Sequence, residues 1–304
     1  MIRFDDRVAI VTGGGTGLGR EYALLLAARG ARVVVNDLGG SVGGDGEGSA
    51  APAEAVAQEI RAAGGQAIAN RDSVADPKGA ARMVEAALRE WGRLDILVNN
   101  AGILRESPLD EMALDAIEKV IAVHLMGTLY CTRAALPAMR KSGYGRIVLT
   151  SSGSGLMGLK GQSVYGAAKT GMIGLMNCMR FDLEGSGVLV NTVAPSAATR
   201  MSQGIVKEEL ARNMSPALVA PLVAWLASEQ CRDTGQVLTA TAGYFFKVAL
   251  YKSEGAQFDP AEPVTPEMVD AAWSRIVSMD NIEPYRGTLA SHEPNLRRLA
   301  SVPR

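Results

Sequence analysis

The chain has 304 residues, of which 47% are hydrophobic and 21% are charged, a length that suits one large domain or one domain with an appendage. Its 31 Lys and Arg residues nearly balance its 32 Asp and Glu residues, and the net charge is -1. This balance excludes a protein that is drawn to nucleic acid or to an acidic membrane by its overall charge. A small-molecule partner is expected.

Three widely spaced cysteines, Cys131, Cys178 and Cys231, indicate thiols in a reducing compartment rather than a disulfide framework. Neither His124 nor His292 lies near a cysteine or another histidine, so no metal site is expected. Charged residues at positions 5–7 leave no room for a signal peptide, and no apolar run approaches the roughly 18 residues of a membrane span. These patterns predict a soluble, cytoplasmic protein.

Short apolar runs alternate with helical patterns along most of the chain. The runs predict strands over 7–13, 31–37, 66–72, 94–102, 146–152, 188–195 and 236–241. Helical spacing, with glycine or proline near several ends, predicts helices over 20–30, 52–65, 77–92, about 110–141, around 163–172, 216–229 and 266–280. Uniformly apolar strands separated by helices predict a doubly wound α/β fold of the Rossmann type, with a parallel sheet covered on both faces.

Two segments interrupt this alternation. Residues 38–50 are rich in glycine and predict a loop that is either mobile or closed over something. The tail after residue 250 is rich in proline and has one helical stretch, which is too little to bury a core of its own. We therefore predict a dinucleotide-binding and catalytic domain over 1–250 and an extension over 251–304 that packs on the same domain.

The stretch "TGGGTGLG" (12–19) joins the first strand to the first helix. Its glycines, Gly13, Gly17 and Gly19, would allow a tight turn and bring the amides of the helix N-terminus to a pyrophosphate, although an ordinary strand-to-helix turn has a similar pattern. The second strand ends at Asp37, 24 residues after Gly13. This is close to the roughly 20-residue spacing of an acid that binds the adenosine ribose, and the same carboxylate would repel a 2'-phosphate. The pattern predicts NAD rather than NADP.

A phenol and an amine lie four residues apart in "SVYGAAKTGM" (163–172). Tyr165 and Lys169 would project from one helix face, where an ammonium could lower the pKa of the phenol for general base catalysis. The alternative is a core tyrosine and a solvated lysine. The end of a strand thirteen residues earlier provides Ser152, whose hydroxyl would lie at the ligand-binding edge of the sheet.

These motifs, with "NNAG" at 99–102, resemble the short-chain dehydrogenase/reductase family over about residues 4–245. The resemblance implies that Tyr165 exchanges a proton with the substrate oxygen, that Lys169 lowers the pKa of Tyr165 and holds the nicotinamide ribose, and that Ser152, rather than Ser151, orients the substrate. It further implies that Asp72 and Ser73 flank the adenine, that Asn99 lies along the cofactor and that Thr199 contacts the nicotinamide end. The cofactor-binding residues expected in all are Gly13, Thr16, Gly17, Leu18, Gly19, Asp37, Asp72, Ser73, Asn99, Ala101, Gly102, Tyr165, Lys169 and Thr199.

Two positions depart from the pattern of the family. His124 occupies the place of an asparagine that belongs to a proton relay, and it is either a relay member or a hydrogen-bonded core histidine. Ser196 replaces the glycine that usually follows the proline of the loop containing Thr199.

The stretches "VVVNDLGG", "NNAGILR", "VHLMG" and "YGRIVLTSS" resemble a branch of the family in which the dehydrogenase is one region of a multifunctional enzyme. That branch implies NAD-dependent oxidation of a (3R)-3-hydroxyacyl-CoA, with possible steroid-derived substrates, in a homodimer or homotetramer. Hydratase and sterol-carrier regions are missing here, so we expect a stand-alone dehydrogenase. The alternatives are a hydroxysteroid dehydrogenase that acts on CoA-free steroids and a non-catalytic NAD-sensing or scaffold protein. Met157, Leu159, Met201 and the tail are candidates for the substrate pocket or for plain packing.

Overall fold

The computed structural model describes residues 1–46, 48–203, 207–259 and 261–285. The chain divides into two compact units, residues 1–247 and 248–304. The prediction that the extension packs on the main domain stays a prediction, and its residues 260 and 286–304, which include His292, lie outside the described ranges.

An eight-stranded sheet, with the order β3-β2-β1-β4-β5-β6-β7-β8, forms the centre of the first unit. The ladders from β3 to β7 are all parallel. A two-residue turn, Ala242–Gly243, joins β7 to β8, so β8 runs antiparallel. The strands are β1 (Val8–Thr12), β2 (Arg32–Asn36), β3 (Gln66–Asn70), β4 (Ile96–Asn99), β5 (Gly145–Thr150), β6 (Val188–Ser196), β7 (Val237–Thr241) and β8 (Tyr244–Val248). The predicted doubly wound parallel sheet is confirmed, and β8 is an addition to the predicted strands.

Helices cover both faces of this sheet and bury two apolar layers. The helices are α1 (Gly17–Ala28), α2 (Ala51–Ala62), α3 (Pro77–Trp91), α4 (Leu114–Ile121), α5 (Gly127–Ser142), α6 (Gly153–Met157), α7 (Ser163–Asp182), α8 (Glu208–Ala211) and α9 (Ala220–Ala227). One layer joins the sheet to α1, α2 and α9. The other joins it to α3, α5 and α7. Strands such as β1 are buried along their whole length because both of their faces meet helices.

A π turn at Ala122–Met126 joins α4 to α5, so one continuous helix runs from Leu114 to Ser142. Its mean hydropathy reaches 1.2 over an 18-residue window, so by length and composition alone it is long and apolar enough to cross a membrane. The sequence analysis predicts a helix over about 110–141, but not an apolar run of this length. Its buried residues, among them Cys131 and Met139, belong to the second apolar layer, which is also how the core helix of a globular fold packs.

The second unit has a two-stranded antiparallel sheet and one helix among its described residues. β9 (Tyr251–Lys252) pairs with β10 (Glu283–Pro284), and α10 (Pro266–Val277) lies between them in the chain. Thr265 caps α10 by accepting a hydrogen bond from the amide of Met268.

The strand order reverses at β1, which lies between β2 and β4. In doubly wound sheets such a reversal opens a crevice at the carboxyl ends of the strands, and ligands bind there. The glycine loop follows β1, "NNAG" follows β4 and Ser152 follows β5, so the fold brings all three motifs to one edge.

Candidate active site

The glycine loop turns tightly between β1 and α1. Gly13 and Gly17 have φ values of +63° and +54°, which L-residues with side chains rarely adopt. A Cβ on Gly13 would lie 2.9 Å from the Cα of Ala101, and a Cβ on Gly19 would collide with the carbonyl of Gly13. Glycine is therefore required at positions 13 and 19 for the loop to pack against α1 and the end of β4.

The start of α1 fits an anionic group such as a dinucleotide pyrophosphate. Thr16 is the N-cap residue, and the first turn, which contains Gly17, Leu18 and Gly19, has no acidic residue. The unpaired amides of a helix N-terminus and its positive dipole end favour a negative charge there.

Asp37 follows β2 directly and faces this loop. Its carboxylate oxygens accept hydrogen bonds from the amide of Gly15 at 2.9 Å and from the amide of Gly39 at 2.7 Å. The carboxylate thus fixes both the glycine loop and the start of the 38–50 segment.

That segment does form a loop, as predicted, and it is anchored on the stretch that follows β4. The amide of Leu104 donates to the carbonyl of Val42 at 2.9 Å, and Arg105 donates to the carbonyl of Gly43 at 2.8 Å. Arg105 also forms an ion pair with Asp45. The loop therefore connects the segments that follow β2 and β4, the two neighbours of β1.

The "NNAG" stretch is held by Thr12, a residue that the sequence analysis did not single out. The Thr12 hydroxyl accepts hydrogen bonds from the amides of Asn100 at 2.9 Å and Ala101 at 3.0 Å. The side chain of Asn99 donates to Thr132 at 3.1 Å inside the core. One donor of its side-chain amide is therefore used in packing against α5, and a cofactor contact by Asn99 stays a prediction.

Ser152 and Tyr165 converge at the carboxyl end of β5. Ser152 is the N-cap of α6 and accepts a hydrogen bond from the amide of Ser154 at 3.2 Å. Its hydroxyl also acts on the Tyr165 phenol and lowers the pKa of that phenol. The neighbouring Ser151 is buried and donates to the carbonyl of Lys169 at 2.8 Å, so its hydroxyl belongs to the packing of α7.

Lys169 lies one helical turn after Tyr165 and is only 4% exposed. Its ammonium donates to the carbonyl of Thr150 at 2.7 Å and lies 5.7 Å from the centre of the Tyr165 ring. Burial lowers the pKa of Lys169 to about 7. The amine therefore titrates near neutrality, where it can hold or release a proton.

Burial raises the pKa of the Tyr165 phenol, and the neighbouring Ser152 hydroxyl opposes this shift. The role that the sequence predicts for Lys169, to lower the pKa of Tyr165, stays a prediction.

His124 lies on the π turn and is 2% exposed. Its Nε2 atom lies 2.7 Å from the carbonyl oxygen of Ile103, while Nδ1 has no hydrogen-bond partner among the described residues. Burial and the nearby Lys169 lower the pKa of His124 to about 3, so the ring is neutral at physiological pH. A side chain on Gly102 would collide with this ring.

Asp72, Ser73 and Thr199 are predicted site residues that follow β3 and β6 in the chain. Asp72 forms an ion pair with Arg82 at 2.5 Å after β3, and Ser73 follows it. Thr199 caps a short helical turn, Arg200–Ser202. Its methyl carbon, Cγ2, would lie 3.4 Å from a Cβ atom added to Gly17. The loop containing Thr199 thus contacts the glycine loop.

Two candidate pocket residues lie on the surface of the first unit, with Met157 91% exposed and Leu159 49% exposed. Within the described ranges, no group of three or more His, Cys, Asp or Glu side chains is arranged to hold a metal ion.

A doubly wound sheet with a glycine loop and a Ser, Tyr and Lys set at its carboxyl edge is typical of a dinucleotide-dependent oxidoreductase. The family model described as short chain dehydrogenase matches residues 7–210 of the chain. The chain belongs to this family of oxidoreductases. The scaffold alternative is thereby set aside.

Over 291 residues the chain is 48% identical to peroxisomal multifunctional enzyme type 2 of Drosophila melanogaster, in an alignment that covers 95% of this chain and 48% of that enzyme. The full-length structure of that enzyme matches with a TM-score of 0.82 at 39% identity, over 98% of this chain and 50% of the other. The chain thus spans about half the length of this relative. The resemblance to the dehydrogenase branch found in multifunctional enzymes is confirmed.

Two further solved structures, both of dehydrogenases, also match the chain. A short chain dehydrogenase from Mycobacterium avium matches with a TM-score of 0.79 at 39% identity, over 93% of this chain and 98% of its own. A 7α-hydroxysteroid dehydrogenase in complex with NADH and 7-oxo glycochenodeoxycholic acid matches with a TM-score of 0.71 at 28% identity, over 79% of this chain and 95% of its own.

Proposed function

We propose that the chain oxidises a secondary alcohol to a ketone with NAD, and that its substrate is a (3R)-3-hydroxyacyl-CoA, including acyl groups derived from steroids. The observation that carries the proposal is the convergence of Ser152, Tyr165 and Lys169 on the sheet edge that also holds the glycine loop. NAD, when bound, supplies the acceptor for the hydride that leaves the carbinol carbon.

The residues of the chain would move one proton and hold the substrate. Ser152 donates a hydrogen bond to the substrate oxygen, and the deprotonated Tyr165 accepts the proton of the hydroxyl as the C–H bond breaks. Lys169, with a pKa of about 7, holds or passes on a proton beside Tyr165. The hydroxyl thus loses one proton to the Tyr165 phenolate and the carbon loses one hydride, which leaves a ketone.

NAD is favoured over NADP by the position of Asp37. Its carboxylate follows β2 and faces the glycine loop, where an adenosine ribose would lie, and a 2'-phosphate would meet a like charge there. The cofactor-binding roles of the glycine loop, Asp72, Ser73 and Thr199 belong to the same proposal. The NADH in the structure of the related 7α-hydroxysteroid dehydrogenase agrees with this choice of cofactor.

The substrate class is supported by the relatives named multifunctional enzyme, and the alternative by the hydroxysteroid dehydrogenase. Because the latter was solved with a bile acid derivative, a CoA-free steroid alcohol is the second candidate substrate. We place the protein in the cytoplasm as a homodimer or homotetramer. The peroxisome, which appears in the name of the Drosophila relative, is the alternative compartment.

The proposal is tested by NAD-dependent turnover of paired 3R and 3S hydroxyacyl-CoAs, in parallel with a CoA-free steroid alcohol. We expect oxidation of the 3R acyl-CoA with NAD and a much lower rate with NADP. Turnover of the steroid alone would support the alternative substrate, and a preference for the 3S isomer or for NADP would contradict the proposal.

A further inference from the structure

Gln162 is a buried polar residue immediately before α7, the helix that carries Tyr165 and Lys169. It is 3% exposed and occupies the N-cap position of that helix. Its carbonyl accepts a hydrogen bond from the amide of Gly166 at 2.7 Å, so its backbone belongs to the first turn of α7. A buried side-chain amide is costly unless both of its ends are hydrogen-bonded.

Both ends of the Gln162 side chain do have partners. Its Nε2 atom lies 2.5 Å from a carboxylate oxygen of Glu106, and its Oε1 atom lies 2.5 Å from the hydroxyl of Ser154. An ionised carboxylate can only accept hydrogen bonds, so the NH₂ end of Gln162 must face Glu106. The carbonyl end then faces Ser154, and the Ser154 hydroxyl must donate to it.

The chain of hydrogen bonds continues into the catalytic group. The backbone amide of Ser154 donates to the Ser152 hydroxyl oxygen at 3.2 Å, which occupies an acceptor site on that oxygen. The proton of the Ser152 hydroxyl is thereby free to point elsewhere, and this hydroxyl is the one that lowers the pKa of Tyr165. Each donor and acceptor along the path from Glu106 to Ser152 therefore has one consistent direction.

Backbone contacts hold the same elements together. The amide of Ser107 donates to the carbonyl of Gly161 at 2.9 Å, which fixes the segment containing Glu106 beside Gln162. The hydroxyl of Thr170 donates to the carbonyl of Gly155 at 2.7 Å, which fixes α6 against α7. Gln162 is the side chain that joins these two attachments.

We propose that Gln162 is a positioning residue for the reaction: by fixing Ser154, it holds the Ser152 hydroxyl so that its proton is directed at Tyr165 in the free enzyme and at the substrate oxygen once substrate is bound. This inference rests on the proposed function. Gln162 does not touch the reacting atoms itself, and it acts through the Ser154 backbone.

The test compares Gln162→Met, which keeps the side-chain volume but removes both hydrogen bonds, with Gln58→Met. Gln58 donates to Glu54 at 3.2 Å on the exposed surface of α2, so this control removes an equivalent Gln–Glu pair away from the site. We expect Gln162→Met to lower kcat roughly 10-fold to 100-fold, because the loss of orientation at the reacting group costs about this much. The Kd for NAD should change by less than about twofold in either variant.

A second measurement does not depend on turnover. The ultraviolet difference spectrum between each protein and its Tyr165→Phe derivative reports the ionisation of Tyr165, which faces Lys169 on its own helix and His124 on the π turn. If Gln162 orients Ser152, Gln162→Met should raise the pKa of Tyr165, because the hydrogen bond that stabilises the phenolate is lost. Gln58→Met should leave this titration unchanged.

Ser154→Ala removes the same hydrogen bond from its other end and leaves the cap of α7 intact. It should reproduce the direction of both effects, and the double variant should be no worse than the more impaired single variant, because both act through one path. Effects that add in the double variant would contradict the proposal.

An unchanged kcat in Gln162→Met, or a lower melting temperature with an unmoved Tyr165 titration, would overturn the proposal and leave Gln162 with a structural role only. If the wild-type protein does not turn over hydroxyacyl-CoA, the proposed function fails. The Tyr165 titration still tests the inference in that case, so the two failures can be told apart.

Discussion

The imidazole of His124 packs edge-on against the phenol ring of Tyr165, with ring centroids 5.1 Å apart and ring planes at 89°. His124 reaches this position because the π turn displaces one residue of the helix from Leu114 to Ser142, a feature often found at functional sites. The contact joins the helix that contains His124 to the helix that contains Tyr165.

His124 should contribute to stability in a pH-dependent way. Its folded pKa of about 3 lies below the ordinary value of 6.5, so the unfolded chain binds a proton at pH values where the folded chain does not. The contribution is complete above pH 6.5 and is lost as the pH falls from 6.5 towards 3, by up to about 1.4 kcal/mol per pH unit. Unfolding free energies of wild type and His124→Asn should therefore diverge in this window, and equal slopes would be the contrary result.

Two adjacent serines should separate catalysis from packing. Ser152→Ala should lower kcat by about 10²-fold, because it removes a donor to the reacting oxygen, and should cost about 1 kcal/mol of stability, because it removes the cap of α6. Ser151→Ala should cost a similar amount of stability but leave kcat nearly unchanged, because the Ser151 hydroxyl donates to a buried carbonyl. Steady-state kinetics and denaturant unfolding of both variants check this, and a reversed pattern would reassign the two serines.

Lys169→Met should stabilise the protein while abolishing turnover. Burial of the amine lowers its pKa from 10.5 to about 7. Below pH 10.5 the unfolded chain therefore binds a proton at this lysine more readily than the folded chain does, which lowers the free energy of unfolding. This loss of stability is complete below pH 7 and disappears as the pH rises to 10.5. The variant should therefore gain roughly 1–3 kcal/mol near or below pH 7 and progressively less at higher pH.

Lys141→Met, at an exposed position near the end of α5, is the control for the loss of one lysine charge. It should change neither turnover nor the pH dependence of the free energy of unfolding. A Lys169→Met protein whose stability gain grows with pH would show that burial of the amine is not the dominant influence.

Asp37→Asn should weaken the preference for NAD. The substitution removes the negative charge that would face a 2'-phosphate, and the NAD to NADP ratio of kcat/KM should fall at least about 10-fold. Asp76→Asn makes the same charge change at the N-cap of α3, where asparagine is also a good cap, and should leave the ratio unchanged. An unaltered ratio in Asp37→Asn would remove the basis for assigning NAD.

The sequence predicts the alternation of strands and helices well because strands buried on both faces are apolar throughout, as in Val8–Thr12. It does not predict the π turn, since one displaced residue leaves the helical pattern of apolar positions intact. The short helix Gly153–Met157 has too few residues for any periodicity. Long-range contacts are likewise absent from the pattern, so the loop over 38–50 could be predicted as a loop but not its attachment to Leu104 and Arg105.

The candidate site, too, could be predicted only in part from the sequence. Motif spacing identifies Ser152, Tyr165 and Lys169 as candidates, while the pKa values of the last two depend on burial, which the sequence does not reveal. A single glutamine before a helix is typical of an ordinary cap, so Gln162 becomes notable only when its two partners are seen.

The central claim, that Tyr165 transfers the substrate proton, is tested most directly by single-turnover NADH formation in Tyr165→Phe, with NAD affinity measured on the same samples. Tyr22→Phe is the matched control, because the buried Tyr22 hydroxyl has no hydrogen-bond partner within the described residues. We predict that Tyr165→Phe binds NAD normally and loses 10²-fold to 10⁴-fold or so in rate, while Tyr22→Phe keeps the wild-type rate. A Tyr165→Phe protein that forms NADH at close to the wild-type rate would contradict the account.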